Sequence, residues 1–304
     1  MNTETFKPGI VILSYNHLEH TRNCLISVRQ QLPDAMIYLI HNGTDKKQVS
    51  QLKNTFEEKQ LQHLIMEKNL GFSGGANWGL KQAFINEKWV LFLTNDTLFE
   101  GLNLSQAPPP GFYAPQILLN KSRKMDSLGG EFNPKNGKLQ HLRTKSYQLS
   151  PGSYFYVPGT AFLIDKETFL NSKGFDIHLG TYWEDVDYSL ELQKKNITVS
   201  TIPEILLSHK VGKTCHKDPH YTTYLFHRNR LVISWKYCNS LYQRSFLILV
   251  IFIDFAKRFW RDVIKNQKWS SLSLYIQALF EGAKMIVRNT QHPQNMSQGQ
   301  MNQL

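Results

Sequence analysis

Cysteine is scarce in this 304-residue chain. Cys24, Cys215 and Cys238 lie far apart with no CxxC spacing, and three thiols cannot all pair within one chain. That leaves no disulfide framework and fits a reducing compartment. Long apolar runs are missing too. The run at 246–253 holds eight apolar residues, which as a helix cover about 12 Å against the roughly 30 Å of a bilayer core, so it cannot span alone. The first nine residues contain no apolar segment and lead straight into a strand, so neither a signal nor an anchor is expected there and the chain reads as cytoplasmic. Acidic residues are short in one region only. Up to Glu204 there are 21 Lys and Arg against 20 Asp and Glu, whereas from Ile205 onward there are 14 against 4. A basic face suits nucleic acid or an anionic membrane surface. Because these cations interleave with apolar runs instead of forming a solvated patch, nucleic acid is the weaker choice.

What is present is a chain with 41 % hydrophobic residues, ample for one large α/β domain plus an appendage. The segment at 89–96, Trp-Val-Leu-Phe-Leu-Thr-Asn-Asp, reads as a buried parallel strand ending on Asn95 and Asp96. Ligands of open α/β sheets gather at the carboxyl ends of strands, although the same two residues also begin turns. Strands are expected at 9–15, at 36–40 and around Leu64, with helices from Asn16, a plausible N-cap, to about Gln31 and from about Val49 to Lys59. This order gives right-handed crossovers and a Rossmann-like half. The glycine-rich stretch at 69–79 opens a further helix whose N-terminal N–H groups would suit a phosphate. Its G-x-x-G-G spacing is not a dinucleotide fingerprint.

The run at 10–96 resembles the nucleotide-sugar-binding half of a family 2 glycosyltransferase, in the bacterial rhamnosyltransferase-like branch. VILSYN (11–16), CLISV (24–28), HNGTD (41–45), NLGFSGGANWGL (69–80) and FLTNDT (92–97) carry the likeness. The resemblance implies a GT-A fold: a Rossmann-like mixed sheet flanked by helices. It also implies a UDP- or dTDP-sugar lying against Ser14, Tyr15, Asn16, Asn42, Asn69, Gly71, Phe72, Gly75, Asn77, Asn95 and Asp96. Asp96 sits where the family keeps the last Asp of its metal motif. His41 stands where an Asp that holds the nucleotide base is usual, and Thr94 where the first acidic residue of the metal motif is usual.

Downstream, 101–110 with three consecutive prolines reads as an extended connector, and Gly129-Gly130, Asn133-Pro134 and Asn136-Gly137 punctuate short hairpin strands. A strand at 158–165, a short helix at 166–173 and a turn at 174–176 precede Trp183-Glu184-Asp185-Val186-Asp187, which opens a helix to about Lys195. Three carboxylates in a first helical turn are explained in part by the helix dipole. This stretch also matches the family's second block, in which the acidic pair carries the catalytic base. The resemblance therefore implies Asp185 as base with Glu184 as fallback, and Trp183 and Gly159 toward the acceptor. Glu191 stands where the family commonly has Arg. His209 follows an apolar run; a lone His there is often structural, but in the family a His at this place can complete a Mg²⁺ or Mn²⁺ site with Asp96, and the loop at Gly212 can close over the diphosphate. Arg228, on a helix from about Tyr221 to Cys238, either contacts phosphate or belongs to a solvated basic face.

The chain divides into a catalytic domain at 1–238, an amphipathic helical extension at 239–290 and a polar tail at 291–304 expected to be disordered. In the extension Phe252, Phe255, Phe259, Trp260 and Val263 alternate with cations, the composition of a helix lying in a membrane interface; a helix docked on the catalytic domain is the alternative. A second helix places Leu272, Tyr275, Ile276, Leu279, Ala283 and Ile286 on one face. The expected function is inverting transfer of one sugar from a nucleotide-diphosphate donor to a glycan or lipid-linked acceptor of bacterial surface polysaccharide synthesis, at the inner face of the membrane. The alternative is an inactive GT-A-fold scaffold protein peripheral to a membrane.

Overall fold

The computed structural model describes residues 6–209 and 219–291. The Gly212 loop and all but the first residue of the expected disordered tail lie outside the described residues.

Strands β1 (Gly9–Ser14), β2 (Ile37–Asn42), β3 (Leu61–Met66) and β4 (Trp89–Thr94) run parallel in the order β3-β2-β1-β4. Helices α1 (Leu18–Gln31), α2 (Lys46–Thr55) and α3 (Gly71–Ala83) are the crossovers. Every residue of β1 and β2 is buried, which is why both read as unbroken apolar runs, without alternation, up to Ser14 in β1 and His41-Asn42 in β2. Alternate side chains feed two cores: Val11, Tyr38, Ile40 and Phe92 face one layer, while Ile10, Ile12, Leu39 and Leu91 face the other.

Asn16 does not cap α1. Asn16 and His17 both take positive φ, 56° and 55°, instead of the extended backbone an N-cap needs, and no side chain caps the first turn. The Asn16 side chain accepts the Asp45 N–H at 3.1 Å instead.

The parallel order ends at β4. The segment expected as a connector contains the end of β5 (Thr97–Leu102), an edge strand of mixed polarity, followed by β6 (Gly111–Leu119) and β7 (Met125–Ser127). A small antiparallel sheet combines β8 (Gly130–Asn133), β9 (Lys138–His141) and β10 (Tyr154–Tyr156), with Gly137 at φ 60° in the β8–β9 turn that the Asn-Gly pair predicts. β11 (Ala161–Asp165) lies antiparallel between β4 and β6, and β12 (Thr198–His209) lies between β6 and β5. The short apolar run before His209 is thus the end of a twelve-residue strand. Helices α4 (Lys166–Leu170) and α5 (Glu184–Lys194) pack on this half.

Helices α6 (Pro219–Tyr237), α7 (Leu241–Arg258) and α8 (Trp269–Gln291) close the described chain, with a π-helical turn, Phe259–Lys265, between the last two. Ser240 starts α7 by accepting the Gln243 N–H. In α8 the buried face is Leu272, Tyr275, Ala278 and Gly282, while Ile276 and Ala283 point outward. The expected face is rotated because the small residues let α6 approach: a Cβ on Gly282 would stand 3.0 Å from the Arg228 carbonyl oxygen. Among the described residues no helix is long and apolar enough to cross a membrane.

Candidate active site

A cavity of about 400 Å³ opens where the carboxyl ends of β1, β2 and β4 meet β12 and the start of α5. That volume falls within the range of small-molecule sites. Tyr15, Asn42, Asn69, Gly71, Phe72, Asn95, Asp96, Gly159, Trp183, Glu184, Asp185 and His209 line it, so twelve of the residues expected from sequence converge there. Ser14, Asn16, Gly75, Asn77 and Arg228 are not on its wall, and each has another task. Ser14 shares a 2.8 Å hydrogen bond with Thr21 beneath β1. Asn95 extends this network by donating to Thr21 and to the Asn16 carbonyl. Gly75 gives space to Leu13 and Asn42, 2.6 and 2.9 Å from an added Cβ. The Asn77 amide pairs with both backbone groups of Phe175.

The glycine-rich turn packs the sheet against α3 and does not present free donors. Gly71 N–H goes to Asn69 Oδ1, Phe72 N–H to the Thr181 hydroxyl and Ser73 N–H to the Gly180 carbonyl. Asn42 pins the turn from below by accepting the Leu70 N–H and donating to the Gly71 carbonyl. The expected phosphate cradle at this helix start is therefore occupied by the protein's own acceptors.

Asp96, the second residue of the turn between β4 and β5, is 8 % exposed and faces His209 at the end of β12, with 3.2 Å between Oδ2 and Nε2. The Thr94 hydroxyl lies 2.7 Å from Asp96 Oδ1, so the residue in the place of a first acidic ligand instead orients the second. His209 Nδ1 lies 3.6 Å from Asp126, whose other oxygen is 3.8 Å from His141 Nδ1. Burial opposes a charge on His209, but Asp126 and Asp96 together outweigh it and hold its pKa up at about 9. His141 and His209 in turn keep the Asp126 carboxyl well below the usual carboxylate range. Asp126 and His141 carry no sequence signal, since an isolated Asp in a short strand and a His after an Asn-Gly turn give no pattern to read.

The spacing of Asp96 and His209 suits a divalent cation that displaces the Nε2 proton, which the imidazole otherwise carries at pH 7. Two adjacent ligands of an octahedral ion held at about 2.1 Å are about 3.0 Å apart, near the observed 3.2 Å between Asp96 and His209. Asp126 behind the second imidazole nitrogen is the usual outer partner of a metal-binding His. Among the described residues no group of three or more His, Cys, Asp or Glu is arranged to hold an ion, so two protein ligands would leave positions for phosphate oxygens.

The acidic pair enters from a strained turn. Tyr182 and Trp183 have φ of 71° and 74°, a left-handed backbone that costs a non-glycine residue about 1–3 kcal/mol. The fully buried Asn229 holds this turn: its amide nitrogen lies 2.7–3.2 Å from the carbonyls of Leu179, Thr181 and Tyr182. Arg228 supports the same loop through the carbonyls of His178 and Leu179, so its guanidinium is spent on backbone and not on the cavity. Asp185 Oδ2 accepts the Gly159 N–H at 2.9 Å and Oδ1 the Val186 N–H at 2.8 Å. Burial raises the Asp185 pKa while those two N–H groups pull it back. Glu184 is 4 % exposed, its Oε2 has no hydrogen-bond partner, and burial followed by the Asp185 charge pushes its pKa well above the ordinary value.

Two departures from the family pattern have structural roles. His41 is fully buried beside β3, with Nε2 3.0 Å from His63 Nδ1, and is not on the cavity wall. Burial, then His63 and Lys53, lower its pKa to about 4, so the imidazole is neutral at pH 7. Glu191 accepts from Tyr237 and pairs with Lys236, which also binds Asp187.

Residues 9–106 match the family described as Glycosyl transferase family 2. Among solved structures, the chain is similar to the mannosyltransferase PcManGT from Pyrobaculum calidifontis in complex with GDP-Man and Mn²⁺, at 10 % identity over 93 % of this chain and 88 % of that one, with a TM-score of 0.52. It is similar to GalNAc-T7 with UDP, GalNAc and Mn²⁺, at 12 % identity over 94 % of this chain and 57 % of that one, with a TM-score of 0.62. It is also similar to S. aureus TarS 1-349 in complex with UDP-GlcNAc, at 13 % identity over 92 % and 82 %, with a TM-score of 0.50. No curated protein matches the chain. The family match covers about a third of the chain, the part that carries Asp96, and the mixed α/β sheet fits a GT-A fold.

Proposed function

We propose that this protein is an inverting glycosyltransferase that moves a single sugar from a nucleotide-diphosphate donor to a hydroxyl of a glycan or lipid-linked glycan acceptor in bacterial surface polysaccharide biosynthesis. The observation that carries this reading is the meeting, in one cavity, of the Asp96–His209 pair and the Glu184–Asp185 pair. Transfer needs charge stabilisation for a departing diphosphate and a base for the acceptor proton.

A Mg²⁺ or Mn²⁺ held by Asp96 and His209 would supply that charge stabilisation. The protein's own groups do the rest. Asp185 takes the proton of the acceptor hydroxyl as its oxygen bonds to the anomeric carbon and the bond from that carbon to the diphosphate oxygen breaks, releasing nucleoside diphosphate. The N–H groups of Gly159 and Val186 fix the carboxylate, and burial strengthens its hold on a proton. Tyr15, 39 % exposed at the end of β1, is placed to stack on the nucleotide base. Since His41 is buried against His63, recognition of the base falls to groups on the cavity wall. The bound GDP-Man and UDP-GlcNAc of the structural neighbours are in keeping with a nucleotide-sugar donor here.

The test is a panel of UDP-, dTDP- and GDP-sugars incubated with purified protein and Mn²⁺, reading release of nucleoside diphosphate. Release from one donor well above the rest supports the reading; release from none, with every donor failing to bind by calorimetry, contradicts it.

A further inference from the structure

Thirteen of the 22 large apolar side chains exposed on the described surface lie between Leu241 and Val287, a concentration that single scattered residues do not explain. In α7 the usual polarity of a surface helix is reversed. Asp254 and Arg258 turn inward, Asp254 paired to Arg230 at 2.6 Å and the Arg258 guanidinium 2.6 Å from His227 Nε2, while Lys257 stays exposed. Its solvent face carries Ile248, Leu249, Phe252 and Ile253 and continues into Phe259 and Trp260 of the π-helical turn. Phe252 and Trp260 are each 67 % exposed.

We infer that the outer face of α7 and the Phe259–Lys265 turn docks on an anionic lipid bilayer, lying in its interface without crossing it. Charge selects this occupant. Lys257, Arg261, Lys265 and Lys268 are exposed beside Trp260 and Trp269, an aromatic and cationic belt of the kind found at headgroup level. Each such cation gains about 1 kcal/mol near an anionic leaflet. The inference is independent of the catalytic reading, yet α6 joins the two, since Phe226 lines the cavity and Arg230 holds α7.

The experiment is flotation of the full chain with phosphatidylglycerol/phosphatidylethanolamine vesicles, with phosphatidylcholine vesicles as the neutral control. The double variant Phe252→Ser/Trp260→Ser changes exposed groups only, and an unchanged thermal midpoint verifies its fold. The expected result is binding to the anionic vesicles, at least tenfold weaker binding to the neutral ones, a loss of tenfold or more in the double variant, and a several-fold loss between 0.1 and 1 M salt. Absence of binding to anionic vesicles overturns the inference, as does equal binding of wild type and double variant. A dimer in light scattering that the double variant converts to monomer, without vesicle binding, assigns the face to a second copy instead.

Discussion

The imidazole of His209 stands between two carboxylates, Nε2 3.2 Å from Asp96 and Nδ1 3.6 Å from Asp126. With the His209 pKa held at about 9 both nitrogens carry protons, so an ion would displace the Nε2 proton while Asp126 keeps the one on Nδ1 and orients the ring without touching the ion site.

The first prediction concerns that support. Asp126→Asn should weaken Mn²⁺ binding to the donor-free protein by about 10–100-fold. Mn²⁺ titration followed by electron paramagnetic resonance measures it directly. Equal affinity in variant and wild type would remove Asp126 from the ion site.

Asp185→Asn should lower kcat by about 10²–10⁴-fold while donor affinity by calorimetry stays within twofold, since the base acts on the acceptor. A parallel loss of donor binding would instead give Asp185 a role in holding the nucleotide sugar.

The strained turn before the acidic pair yields a third prediction. Asn229→Ala takes this donor from the Thr181 and Tyr182 carbonyls in a buried region, at about 1–3 kcal/mol for each group left unpaired, while the Leu179 carbonyl keeps Arg228. The thermal midpoint should drop by several degrees, and kcat should fall more than donor affinity because Glu184 and Asp185 lose their anchor. A variant with wild-type melting and kcat would show that the left-handed Tyr182 and Trp183 hold themselves.

Much of the parallel half was legible in sequence because buried strands announce themselves as unbroken apolar runs, as in β1 and β4. β5 was not, since Thr97, Glu100 and Gly101 dilute its apolar content at a sheet edge. Asp96 and the acidic pair were readable as local motifs. The roles of Thr94, Asn229 and Asp126 were not, because each is defined by a partner: Thr94 by the turn at Asp96, Asn229 by carbonyls on another element, Asp126 by an imidazole at the end of β12. Gly75, Asn77 and Arg228 belong to the same motifs, and the structure sets them off the cavity wall. The residues that shape a site from behind share motifs with those that touch its contents.

His41 gives a pH prediction. Its folded pKa of about 4 lies below the ordinary 6.5, so the folded state binds fewer protons; stability is full above about pH 6.5 and declines as pH falls toward 4. At pH 5 this amounts to about 2 kcal/mol. The buried carboxyls Glu184 and Asp187, whose pKa values are raised by burial, oppose that trend, so the test is a difference: His41→Asn should lose less stability between pH 7 and 5 than wild type. Parallel denaturant midpoints for the two proteins across that range would contradict a neutral buried His41.

The measurement that bears most directly on the central claim is nucleoside diphosphate release from the preferred donor with Mn²⁺ and with EDTA, by wild type and by Asp96→Ala. Asp96 and His209 are the paired groups suited to the ion, so wild type should release product only with Mn²⁺ and the variant should be inactive in both conditions while melting within a few degrees of wild type. Undiminished release by Asp96→Ala in EDTA would contradict the account.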